Sequence, residues 1–343
     1  MAPKFKSFLR TIVGFLLAAV FLYVAFRGTS FADLWNSLLG ANYLWISLLV
    51  PVTIIGFWLR MLRWEYLLSP IKSNMSKRNL FSAVVIGYMI NNVLPRIGEL
   101  MRPYVIGRLE NISKSSAFGS VVVERILDFM TFYLLVLIVM FVYPGVLDPF
   151  INYFNLSRPF LVLAAVGLFL FFVFLFFKGD AVFRFLSSVT RILPGRHREK
   201  IDRIRDSFLS AFGVSKMKEH FLGIVILSLL IQATYAVGLY IPFYAFDSVA
   251  QLHLDFGAAV VLLTISSIAY VLPAPGAMGT YHSLLTVALV NLYNIDRITA
   301  LSFSIVTHEV GYILTMILGL TYFLKDHLRV SEVTLQTAEG EVA

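Results

Sequence analysis

The chain contains no cysteine, so neither disulfides nor thiolate metal centres can hold it together. Charge is also scarce: Asp, Glu, Lys and Arg supply 14% of the 343 residues, against about a quarter in ordinary soluble domains. There is no Gly-rich phosphate loop, and no polar stretch is large enough to form a nucleotide-binding domain. The composition is instead 59% hydrophobic and 15% aromatic. An apolar excess of this size is expected of a polytopic helical membrane protein.

Apolar runs near the roughly 20 residues of a span fall at 9–26, 43–67, 118–142, 160–177, 221–245 and 298–324. The first is flanked by Lys4, Lys6 and Arg10 and lacks a small-residue cleavage pattern, so it reads as a retained helix. With the N-terminus cytoplasmic, 22 of the 28 Lys and Arg residues lie on the cytoplasmic side and only Arg27, Arg158 and Arg297 lie outside. Both termini are then cytoplasmic. The formal net charge of +8 follows from this topology and from contact with anionic lipid, and nucleic acid need not be invoked as a partner. The expected location is an integral position in a prokaryotic cytoplasmic (inner) membrane.

Two further stretches, about 80–110 and 256–293, are apolar but interrupted by Pro and Gly. Each half has about 15 residues and reaches only about 22 Å, short of a hydrocarbon layer of about 30 Å. Both therefore read as re-entrant helical hairpins, with half-helices at 80–94 and 99–110 and at 257–272 and 277–293. Val93, Leu94, Pro95 and Gly98 recur 178 positions later as Val271, Leu272, Pro273 and Gly276. The preceding spans share the same offset. The expected fold is all-α: six spanning helices plus two re-entrant hairpins, about eight membrane segments, in an inverted-topology repeat over about 43–142 and 221–324. Residues 1–330 form a single transmembrane domain in this reading. It includes a cytoplasmic connector at 178–220, whose segment 197–213 is amphipathic and suited to a membrane surface. The polar stretch 331–343 reads as a disordered cytoplasmic tail.

Backbone freed at Pro95 and Pro273 cannot face lipid, so both breaks are expected to face protein or a wet cavity. Asn91 and Asn92 can bond the freed groups. The half-helices starting near Gly98 and Gly276 would aim positive dipole ends at the same place, where an anion such as phosphate fits and Glu99 competes. Charges inside spans are costly and mark either a pathway or a structural network. Arg60 and Arg63 can alternatively snorkel to the headgroups. Glu124 and Asp128 share one helix face and repel unless a cation such as Arg60 or Arg63 intervenes. Glu309 lies near the middle of its span beside His308. A lone His282 is more often a satisfied interior histidine than a ligand.

The runs RMLRWEYLL (60–68), NNVLPRIGELMRPYVIGR (91–108), ERILD (124–128) and LPAPGAMG (272–279) resemble the membrane domain of lysylphosphatidylglycerol synthase/flippases and their stand-alone relatives. The resemblance reaches to about residue 327. It implies movement of an aminoacylated phospholipid, or in stand-alone members an undetermined lipid, between leaflets. The family's second block usually reads PGGxG followed by Glu, whereas this chain has Ala277 and His282, so the charge at that half of the site differs. The soluble aminoacyl-transferase domain of two-domain members is not expected here.

The expected function is therefore a lipid translocase moving an anionic phospholipid or lipid-linked headgroup, with Arg96 and Arg102 supplying charge for its phosphate. The candidate binding residues are Asn91, Asn92, Arg96, Glu99, Arg102, Arg60, Arg63, Glu124, Arg125, Asp128, Pro273, Gly276, Gly279, His282 and Glu309. No cofactor and no metal are expected. Membrane lipids are partners, and a homo-oligomer is compatible with the sequence. The competing reading is a membrane-embedded transferase acting on a lipid-linked sugar or phosphate, with Glu99, Glu124 and Asp128 holding Mg²⁺ or acting as general base.

Overall fold

A computed structural model describes residues 3–146, 148, 157–189, 219–272 and 274–328, with side chains described outside 3–12, 175 and 179–189. The expected surface helix at 197–213, the tail at 331–343 and Pro273 lie outside the described residues. Every regular element among them is helical. In chain order these are α1 Pro3–Phe26, α2 Phe31–Leu39, α3 Tyr43–Ser47, α4 Leu49–Leu68, α5 Lys77–Val93, α6 Gly98–Glu110, α7 Lys114–Val142 and α8 Arg158–Val189. There follow α9 Phe221–Tyr240, α10 Asp247–Ala250, α11 Phe256–Ala269, α12 Thr280–Tyr293 and α13 Arg297–Lys325, with short 3₁₀ turns at Ile241–Tyr244 and Pro275–Ala277.

Five helical stretches are long and apolar enough to cross a membrane: Tyr43–Leu68, Lys114–Val142, Arg158–Lys178, Phe221–Tyr244 and Arg297–Lys325. A sixth span arises if Val13–Phe26 and Phe31–Leu39, bent by 82° at the break between them, are taken together. The protein is thus an all-α membrane protein. The two stretches expected to be broken are broken. The chain leaves α5 after Val93 and re-enters a helix at Gly98, and it leaves α11 after Ala269 and re-enters at Thr280.

Local chemistry accounts for these ends. Ser113, Asp255 and Asp296 accept the backbone N–H three residues on, capping α7, α11 and α13. Pro95 has no N–H for the Asn91 carbonyl, and Arg96 behind it sits at φ +69°, a left-handed conformation that stops the helix. At the second break the Thr280 hydroxyl donates to the Ala269 carbonyl at 3.2 Å.

The chain forms two compact units. The first comprises residues 1–57, 85–101 and 233–343. In it α12 packs on α1, α11 and α13, and α2 on α13. Ser283 on α12 donates to the Phe21 carbonyl at 2.7 Å, and Arg297 at the start of α13 donates to the Val24 and Ala25 carbonyls at 2.9 and 3.1 Å. Arg297 thereby satisfies carbonyls that α1 leaves open at its C-terminal end, where a cation is also favoured by the helix dipole. The second unit comprises 58–84 and 102–232, and its α7 packs along α8. There Glu110, at the end of α6, accepts from Lys72 Nζ at 2.7 Å, Asn79 Nδ2 at 2.7 Å and the Ser76 N–H at 3.1 Å. Burial alone would push the Glu110 carboxyl up, but these donors hold it below the usual carboxylate value.

Gly98 makes the first hairpin possible. A Cβ there would stand 1.9 Å from the Gly87 carbonyl oxygen and 2.8 Å from the Asn91 side chain, so α5 and α6 meet at a backbone-to-backbone approach that no side chain permits. Gly311 has nothing within 4 Å of the same position. Gly98→Ala is expected to destabilise by about 3 kcal/mol or more, the upper range for overpacking, while Gly311→Ala stays near neutral. Thermal unfolding in detergent, followed by circular dichroism, measures both.

Candidate functional site

The second unit gathers charge inside its spans. Arg60 and Arg63 are three residues apart on α4, and Glu124 and Asp128 four apart on α7, so each pair shares a helix face. Arg60 Nη1 lies 3.4 Å from Glu124 Oε1 and 3.3 Å from Asp128 Oδ2. Arg63 Nη2 lies 3.4 Å from Glu124 Oε1 and 2.6 Å from Asp128 Oδ1. Arg125 stands 3.0 Å from each carboxylate. From α6, Arg102 Nη1 donates to Glu124 Oε1 at 3.1 Å, while its Nη2 sits 2.9 Å from Oε2 without the alignment of a hydrogen bond. Among the described residues, four guanidinium groups therefore meet two carboxylates.

The cluster is deep. By helix rise, Arg60 and Arg63 lie about 12 and 8 Å from the end of α4, and Glu124 and Asp128 about 15 and 21 Å from the start of α7. Glu124 is fully buried, and Arg63 and Arg102 are 1% and 3% exposed. Arg63 Nη1 also donates to Ser228 Oγ on α9 at 3.2 Å. The Arg102 guanidinium lies 4.3 Å over the Trp64 ring, whose Nε1 donates to Ser120 Oγ at 2.9 Å. Buried polar atoms remain: Nε of Arg63, Nε and Nη2 of Arg102, and Oε2 of Glu124 make no hydrogen bond among the described residues. A buried N–H without an acceptor costs about 1–3 kcal/mol, more on a charged group.

In the first unit the two helix breaks meet. Arg96, exposed, donates from Nη2 to the Val271 carbonyl at 3.3 Å, and a Cβ on Gly276 would stand 3.3 Å from the Asn92 carbonyl oxygen. Gly276 is at φ +54° with the Tyr312 ring against it, so only glycine fits there. Asn91 Oδ1 accepts from the Gly98 N–H at 2.8 Å, filling the N-terminus of α6, where Glu99 stands in the first turn. His282 Nδ1 accepts from the Gly279 N–H at 3.3 Å and does the same for α12. Both positive helix ends thus hold a side-chain acceptor of the protein's own.

Beside the second break, His308 Nε2 lies 2.8 Å from the Gly276 carbonyl and its Nδ1 3.0 Å from Glu309 Oε1, while His282 Nε2 lies 3.5 Å from the same oxygen. The three candidate ligand atoms fall within 4.8 Å of one another, near enough to ask whether they hold a metal. Because His282 Nδ1 accepts the Gly279 N–H, however, its ring proton belongs on Nε2. That nitrogen then offers a donor to Glu309 rather than a lone pair to a cation.

The candidate residues are divided between the two units. Arg60, Arg63, Arg102, Glu124, Arg125 and Asp128 belong to the second unit, and Asn91, Asn92, Arg96, Glu99, Gly276, Gly279, His282 and Glu309 to the first. The sequence matches the family described as the lysylphosphatidylglycerol synthase TM region over residues 11–319. The chain belongs to this family. Two UPF0104 membrane proteins are similar to it. One, from Methanothermobacter thermautotrophicus, is 26% identical over 301 residues, covering 83% of this chain and 85% of that relative. The other, from Methanocaldococcus jannaschii, is 30% identical over 162 residues, which is 46% of either chain.

The region matching the lysylphosphatidylglycerol synthase TM family takes in every candidate residue of both clusters. Sequence reasoning missed Ser228, Trp64, Tyr281 and Tyr312. Small hydroxyls and aromatics are ordinary in spans, and no spacing rule links Ser228 to Arg63 across 165 positions. In the charge cluster Glu124 is the hub, since all four arginines reach it. Removing one partner of a buried ion pair typically costs about 3–5 kcal/mol. Glu124→Gln is expected to lose that much, read as a shift in denaturant-induced unfolding in detergent micelles. Glu65→Gln, outside the described ion pairs, is expected to lose less than about 0.5 kcal/mol.

Proposed function

We propose that the protein is a lipid translocase, and that the arginine cluster of the second unit receives the phosphate of an anionic phospholipid or lipid-linked headgroup. The observation that carries this reading is the set of buried Arg63 and Arg102 donors, Nε of both and Nη2 of Arg102, that find no aligned hydrogen-bond acceptor among the described residues. A phosphate supplies several acceptor oxygens to guanidinium donors at once, and Arg presents them in a fork that matches it. The excess of guanidinium over carboxylate in the described cluster favours the same occupant. Membership of a family named for a lysylphosphatidylglycerol synthase TM region makes an anionic phospholipid the natural class. Acyl chains would remain in lipid while the headgroup crosses.

The reading is of a transporter rather than an enzyme. Glu124 and Asp128, the carboxylates a transferase would need as metal ligands or base, are instead held by arginines. Anionic lipid is accordingly the proposed partner. Proteoliposomes carrying a fluorescent phosphatidylglycerol, quenched from outside, test this. One charge-assisted contact is worth about 1.5–3 kcal/mol, or one to two decades. Arg102→Gln should therefore slow translocation of the anionic lipid tenfold or more, and Arg102→Lys should restore only part of it. Undiminished transport by a well-folded Arg102→Gln protein would exclude the cluster as the headgroup site.

A further inference from the structure

We propose that His308 and Glu309, assisted by His282, form a proton-binding site whose one dissociable proton ties α13 to the second helix break. This stands on the first unit alone and is independent of the arginine cluster.

Hydrogen-bond valence fixes the number of protons at this site. A carbonyl oxygen only accepts, so at 2.8 Å from Gly276 the His308 Nε2 must carry a proton and donate it. At its other nitrogen, 3.0 Å from Glu309 Oε1, a lone pair would face a carboxylate if His308 were neutral and Glu309 ionised. Two acceptors at that distance repel. One further proton must lie between Nδ1 and Oε1, giving either an imidazolium–carboxylate pair or a neutral imidazole accepting from a carboxylic acid. His282 cannot supply it, because its Nδ1 is occupied by the Gly279 N–H and its single ring proton already points at Glu309.

Charge leads to the same place. Glu309 sits within the span Arg297–Lys325, and its described charged partners are the two histidines, with no Lys or Arg in an ion pair with it. An ionised carboxylate there needs a cation, and only a proton on histidine provides one. The other titratable groups facing the pair are tyrosines. Tyr281 lies with its ring 5.1 Å from that of His308 and donates to Thr307 Oγ1, Tyr312 has its ring 5.9 Å from His308, and Tyr270 packs on Tyr281 at 6.0 Å.

Loss of the proton forces a choice. His308 can keep Nε2–H on Gly276 and repel Glu309, or shift its remaining proton to Nδ1 and turn a lone pair toward the Gly276 carbonyl. Either way one contact opens. The break it releases already holds Gly276 at φ +54° and Ala277 at φ +57°. A non-glycine residue in this region is strained, so proton occupancy sets whether the strained turn stays pinned to α13.

Glu309→Gln separates the possibilities. Its amide can donate to a neutral Nδ1, or turn its oxygen to a protonated one, so Nε2–H stays on Gly276 in either protonation state of His308. Hydrogen exchange of the backbone at 274–282, corrected for intrinsic rates, is read in detergent between about pH 5 and about pH 9, bracketing the ordinary histidine value. Wild type should lose protection tenfold or more as pH rises. Glu309→Gln should stay protected, within about twofold, throughout the range. His308→Gln, should the first variant fold poorly, should be unprotected and equally flat. A flat wild-type profile, or an equal slope in Glu309→Gln, overturns the proposal. So does stoichiometric zinc in the purified protein that is lost in Glu309→Gln, because a metal would then take the place of the proton.

Discussion

A polar group inside hydrocarbon has to be matched from within the protein, and the arrangement of this chain follows from how each such group is matched. Water can pair a freed carbonyl or solvate an arginine at a surface, but a span provides neither service, and an unmatched group there costs several kcal/mol. Among the described residues, the chain places six charged side chains in one cluster and two helix breaks beside each other. In both places the matching is done by side chains drawn from several helices. Arg60, Arg63, Arg102 and Arg125 come from α4, α6 and α7 onto Glu124 and Asp128. At the breaks, Asn91, Thr280, His282, Arg96 and His308 each occupy a backbone group that the interrupted helices leave open.

The two clusters differ in how completely they are matched. At the breaks the backbone ends are met by groups of the right kind, and the one element with an adjustable count is the proton between His308 and Glu309. In the charge cluster arginines surround both carboxylates, yet Glu124 Oε2 and buried N–H donors of Arg63 and Arg102 lack an aligned hydrogen-bond partner among the described residues. A network built for stability alone would balance its charges, since replacing buried pairs by apolar side chains of similar volume is often neutral or stabilising. The surplus of directed donors is what an anion would use, which is why the functional reading centres on the second unit.

Much of this was legible in the sequence, and the rest was hidden for definite reasons. The spans follow from apolar run length. Pro95 with Gly98 marked one break, and Pro273 with Gly276 the other, because a missing N–H and a residue without Cβ act locally. The spacing of Arg60 with Arg63 and of Glu124 with Asp128 gave each pair a common face, and their opposite charge made them partners. Arg102 read as a phosphate ligand near Arg96, but the sequence did not show that its guanidinium lies on Glu124 and Trp64 while Arg96 reaches the Val271 carbonyl. A single α-helical hairpin carried both residues, and nothing in its periodicity said that they would serve different units. The acceptors that Asn91 and His282 bring to the starts of α6 and α12 were equally unreadable as specific pairings, because a cap supplied from outside the usual N-cap position depends on tertiary approach.

The central claim is that the Arg63 and Arg102 donors await an acid phosphate. A cryo-EM map of the protein in nanodiscs containing phosphatidylglycerol tests it most directly. The account predicts headgroup density in the second unit with phosphate oxygens about 3 Å from the Arg63 and Arg102 guanidinium nitrogens. Phosphate density confined to the membrane surfaces, with those nitrogens bonded to protein or to ordered water, would contradict it.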